Sequence, residues 1–100
     1  MKLGILLTTS PENENTNTVI GISRAARGQG HEVSIFLMYD GVYNINNKEF
    51  SGLADEDVSI AVCAFNVEQR NVGKVGGILF GSQYDHACFA SDVDRLISFG

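Results

Sequence analysis

The residue best placed for covalent chemistry is Cys63. It closes an apolar, β-branched run, Val58–Val62, and precedes AFNVEQR, Ala64–Arg70, which reads as a short helix stopped by Asn71 and Gly73. Reactive groups in open parallel sheets collect at the carboxyl ends of strands. A thiol there faces unpaired N–H groups and the positive end of the helix dipole, and both favour thiolate, the nucleophilic form. Arg70 adds a cation that can meet the thiolate if the chain turns back. The competing role is packing, because free cysteine is among the most buried residue types.

The other candidates are weaker. Cys88 falls on a helical stripe with Tyr84, Ala87 and Ser91 and reads as a packing residue, with a resolving thiol as the alternative. Cys63 could pair with His86 and Asp85, or with His31, in a hydrolase-like arrangement. His31, however, opens a strand and reads as an edge residue. Cys63, His86 and Cys88 lack CxxC or HxxxH spacing, so no metal site and no cofactor is expected. GQG (Gly28–Gly30) follows a helix instead of opening one, and GKVGG (Gly73–Gly77) lacks the Gly-Lys-Ser/Thr of a phosphate loop; both read as turns. Asp55–Asp57 reads as a solvated loop face.

The elements that must position Cys63 follow from periodicity. KLGILLTTS is a near-continuous apolar run, the pattern of a strand covered on both faces. A helix follows, with Asn15 or Thr16 as the cap and Val19, Ile22, Ala25 and Ala26 as its apolar stripe. Arg24 and Arg27 suit its carboxyl end, and Gly28 and Gly30 stop it. HEVSIFLMY is a second strand, so the opening is a βαβ unit with a right-handed crossover. DGVYNINNKEFSG and LADEDV read as a polar connection to the strand before Cys63. Gly77–Phe80 is a short apolar run, Ser82–Asp92 a helix and Asp94–Phe99 a last strand. The expected fold is α/β: a three-layer α/β/α domain over residues 1–100, with a mainly parallel sheet of four to five strands.

Composition narrows the function classes. The chain has 100 residues, 44% hydrophobic and 19% charged, enough for a core without staples. Its formal net charge is -5, with only 7 Lys and Arg, which argues against direct nucleic-acid binding. Two cysteines make no disulfide framework, and Met1–Thr9 is neither a signal peptide nor a membrane span. A cytoplasmic domain with reduced thiols and no membrane partner is expected. Phe36, Met38, Tyr39, Tyr43, Phe50 and Phe65 are many large apolar groups for so small a domain, which points to oligomerisation.

At DGVYNIN (Asp40–Asn46), VCAFNVEQR (Val62–Arg70) and DRLISF (Asp94–Phe99) the chain resembles the DsrE/DsrF/TusD family of sulfur-relay proteins. The resemblance runs through nearly the whole chain. It implies that Cys63 accepts sulfane sulfur as a persulfide and passes it between donor and acceptor proteins, with Arg70 stabilising the anion. It also implies that Gly41, Val42 and Tyr43 lie near the reactive cysteine or a subunit contact, and that the chain assembles as a trimer or hexamer, alone or with related subunits. The sequence departs from the family pattern after the cysteine, where Phe65 and Glu68 replace small residues and Asn71 follows Arg70 in place of glycine. Two alternatives stand beside this one: an assembly subunit in which Cys63 only packs, and a small-molecule-binding domain.

Overall fold

A computed structural model of the chain describes residues 1–73 and 75–100, with residues 83–87 described by backbone alone. Among these, the strands are β1 (Lys2–Leu7), β2 (Glu32–Leu37), β3 (Val58–Cys63), β4 (Leu79–Gly81) and β5 (Arg95–Phe99). All pair in parallel, in the order β4-β3-β2-β1-β5. The expected parallel α/β sheet is therefore present.

Strand order decides which helix covers which face. From β1 to β4 the chain steps in one direction across the sheet, so right-handed crossovers put every connection on the same side. These connections are α1 (Asn15–Gly28), a 3-10 segment Tyr39–Asn46, α2 (Lys48–Ser51), a second 3-10 segment Gly52–Glu56, and α3 (Ala64–Gln69). The return from β4 to β5 at the far edge reverses direction, so α4 (Gln83–Asp92) covers the opposite side.

The two faces follow from strand alternation. Leu3, Ile5 and Leu7 align with Val33, Ile35 and Leu37, and these with Val58, Ile60 and Val62, forming the main core under α1. The alternate residues Gly4, Leu6, Phe36, Ala61 and Cys63 face α4. Gly4 is required there. A Cβ on it would lie 2.8 Å from the Val93 side chain just beyond α4.

Helix α1 turns inward a stripe that overlaps the expected one but is shifted in phase. Thr16, Val19, Ile20 and Ser23 are buried, Ile22 and Ala26 partly so, and Ala25 is exposed. The Thr16 hydroxyl donates to the Asn44 side-chain oxygen inside the protein. The N-terminus also differs, because Asn13 Oδ1, not Asn15 or Thr16, accepts the backbone N–H of Asn15 at 2.9 Å. The C-terminus stops at Gly30 as expected, while Gly28 remains within the helix. Gly30 takes φ +83° and the His31 N–H bonds the Ala26 carbonyl at 3.0 Å.

Residues 39–56 depart furthest from the polar connection expected. They form three short helical turns whose Val42, Ile45, Phe50 and Leu53 are buried in the main core. Segments of 8, 4 and 5 residues are too short to show a sustained helical period, so the pattern is hidden in the sequence. Nor is Asp55–Asp57 simply a solvated face. Glu56 accepts two hydrogen bonds from Arg24 at 3.1 Å, and Asp57 lies 3.6 Å from Arg27.

Candidate functional site

Cys63 is the last residue of β3 and the N-cap of α3, with φ −72° and ψ 111°. Its place at a carboxyl strand end agrees with the sequence. Its exposure does not agree with a thiol open to attack. Counting alternately from Val58, Cys63 points to the α4 side, where it packs with Phe36 and Met38 and is flanked by Leu6, Ala61 and Phe89. It is 2% exposed.

Arg70 caps the C-terminus of α3 and is part-exposed. Its Nε donates to Asp40 Oδ1 at 2.9 Å, and a terminal nitrogen donates to Gln69 Oε1 at 3.3 Å. Asn66, on the same helix, accepts from the Tyr39 backbone N–H at 2.9 Å and donates to Gln69. These bonds lock α3 to the segment after β2. Asn66 was not singled out from the sequence; its signal is a lone amide in an otherwise apolar helix start, AFNV.

The Gly41–Tyr43 loop is built from the inside. A Cβ on Gly41 would fall on the Leu7 carbonyl oxygen, so only glycine allows this approach. Val42 is fully buried and Tyr43 packs partly buried against the main core. Asn44 then donates to the carbonyls of Thr9 and Gly41, at 2.9 and 2.8 Å, and accepts the Thr16 hydroxyl. The large apolar side chain exposed beside this loop is Tyr39, which sequence reasoning did not single out as a site residue. It is 56% exposed at φ +52°, a backbone region that bulky side chains rarely enter. Phe65, at the start of α3, is 66% exposed.

Carboxylates surround this rim. Asp40 is exposed beside Arg70, and Glu68 lies one helical turn from Phe65. Glu12, in the loop after β1, is near enough to feel the charge of Asp40. A hydrogen bond from Ser10 nevertheless holds its carboxyl below the usual range.

Cys88 corrects the expectation of a packing residue: it is exposed. It lines an open groove with Ser34, Phe36, Ala61 and Phe89. The inward stripe of α4 passes instead through Phe89, whose ring centre lies 5.8 Å from that of Phe36. The larger apolar side chain takes the sheet, and its neighbour turns outward. His31 sits at the opposite end of β2 from the Cys63 rim, with Nδ1 3.5 Å from the Met1 amino group, so the two form no catalytic pair. Lys74 of the GKVGG turn, and the side chains of Tyr84, Asp85, His86 and Ala87, lie outside the described residues. Among the described residues there is no cluster of metal-ligating side chains, and no helix is long and apolar enough to cross a membrane.

Comparison with known proteins places this geometry. The crystal structure of the ychN protein from E. coli superimposes with a TM-score of 0.83 at 20% sequence identity, covering 99% of each chain. At that identity the likeness is one of fold. A search of curated proteins gives no match. The family model of the DsrE/DsrF-like family matches residues 1–99, a span that includes both 3-10 segments, Cys63 and the closing strand. The chain belongs to the DsrE/DsrF-like family.

Proposed function

We propose that the protein is a sulfur-relay subunit that carries sulfane sulfur as a persulfide on Cys63 and passes it between partner proteins. The observation that carries this reading is the position of Cys63 at the carboxyl end of an interior strand in a DsrE/DsrF-like chain. In the step, the Cys63 thiolate attacks the outer sulfur of a donor persulfide. A bond forms between Sγ and that sulfur, the donor S–S bond breaks, and the donor leaves as a thiolate that takes up the proton Cys63 released. Nothing is oxidised or reduced overall. Among the described residues Arg70 supplies a cation at the end of the helix that Cys63 caps, and the Gly41–Val42–Tyr43 loop packs beneath that rim.

The chain works as one DsrE/F-like domain in the cytoplasm, within a trimer or hexamer or beside related subunits, and meets protein partners instead of nucleic acid or membrane. Exposed Leu79 and Leu96 at opposite sheet edges support assembly. A second reading has its own observation. With 2% exposure against Phe36 and Met38, Cys63 can serve purely as packing in a non-catalytic assembly subunit.

The deciding experiment loads the folded protein with a sulfane donor and weighs it. The carrier reading expects the mass gain of one sulfur atom, retained in Cys88→Ser and lost in Cys63→Ser. A folded wild type that gains no sulfur, with Cys63 alkylated only under denaturing conditions, establishes the packing reading instead.

A further inference from the structure

We infer that the rim at the ends of β2 and β3 is the docking face for the sulfur-exchanging partner, and that this partner offers its persulfide on a basic, apolar segment. The inference rests on the carrier reading of Cys63 and adds the chemistry of the partner.

The rim adjoins Cys63 along the backbone. Cys63 caps α3, Phe65 lies in the first turn of that helix, and the Tyr39 backbone is bonded to Asn66 at 2.9 Å. Two aromatic residues, 56% and 66% exposed, thus follow the neighbouring ends of β2 and β3, the second of which bears the cysteine. Exposed aromatics in a fixed frame are the residues that most often anchor a protein contact. Tyr39 is held in a left-handed backbone conformation with its side chain more than half exposed.

The charges around the rings select the sign of the partner. Glu12, Asp40 and Glu68 are all exposed at this end. The counter-charge among the described residues is Arg70, already bonded to Asp40 and Gln69. An apolar centre with a negative surplus at its edge attracts a cationic apolar segment and repels an acidic one, mainly through the association rate. The net charge of -5 for the whole chain acts in the same direction.

The test uses the full chain and two synthetic peptide persulfides, each with one cysteine flanked by leucines and by either lysines or glutamates. The sulfane sulfur passes to Cys63, the peptide leaves as its thiol, and mass spectrometry follows the rate. At low salt the lysine peptide is expected to load Cys63 roughly tenfold faster, and the preference to shrink as salt near 1 M shortens the screening length to about 3 Å. Glu12→Gln combined with Glu68→Gln should narrow the preference. Phe65→Ser and Tyr39→Gly, the latter suited to the left-handed backbone, should slow both peptides.

Equal rates for the two peptides overturn the docking face while leaving the carrier reading intact. The same holds if inorganic polysulfide loads Cys63 and neither peptide does. If no donor loads Cys63, the carrier reading fails, and binding of unreactive serine versions of the peptides, read by fluorescence anisotropy, decides the surface alone. Tighter binding of the lysine version upholds it, and equal binding overturns it.

Discussion

The two faces of the sheet are made of the same three central strands and differ sharply in what covers them. On one side, Leu3, Ile5, Leu7, Val33, Ile35, Leu37, Val58, Ile60 and Val62 meet α1, α3 and the turns of residues 39–56, and all are buried. On the other, Phe36, Met38 and Cys63 form a small buried cluster beneath α4, and beside it Ser34, Ser59 and Ala61 floor an open groove. The cause is topological. Three connections share the first face, and a single helix serves the second. The crowded face holds most of the apolar core, and both cysteines lie on the thinly covered side, Cys63 beneath α4 and Cys88 on it.

This contrast can be broken most directly on the crowded side. Leu7 is fully buried, and Leu7→Ala should destabilise the protein by about 3–4 kcal/mol, read from denaturant midpoints at unchanged slope. A loss under about 1 kcal/mol would show that this face is no tighter than its opposite. On the thin side, Phe89→Ala removes a partly buried ring stacked near Phe36 and should cost less, about 1–2 kcal/mol. It should also raise the alkylation rate of Cys63 in the folded protein severalfold. An unchanged rate would mean that α4 does not control the thiol.

The smallest effect belongs to the surface beyond the crowded face. Arg24 donates to Glu56 and Glu49, and the Glu56 carboxyl is held below its ordinary range chiefly by its hydrogen bond from Arg24. A carboxylate whose folded pKa is lowered adds stability that is fully present above the unfolded value of 4.5 and lost as pH falls through the lowered one. Glu56→Gln should therefore lower the melting temperature slightly at neutral pH, and the difference should vanish in stronger acid. A difference that persists there would assign the effect to something other than this ion pair.

Much of the frame was legible in the sequence. The apolar runs KLGILL and VSIAVC mark interior strands, because a strand covered on both faces has no polar side to show. The stop at Gly30 was legible too, since a left-handed residue after a helix favours glycine. The segments of residues 39–56 were not, because Val42, Ile45, Phe50 and Leu53 are spread over three short segments of two helix types. The phase of α1 was missed for another reason: Thr16 and Ser23 look like surface residues until Asn44 arrives from a distant loop to meet one of them.

The sequence by itself determined the alternation of strand and helix, the place of Cys63 at a strand end, and the acidic character of the chain. These depend on residue type and on neighbours along the chain. Tertiary structure alone decided that β5 returns to pair with β1, and from this follow the crossing of α4 to the second face, the burial of Cys63 beneath it and the exposure of Cys88. Local periodicity says which side of a strand a residue occupies. Which side is well covered depends on the direction in which the chain crosses the sheet, and no local spacing of residues encodes that direction.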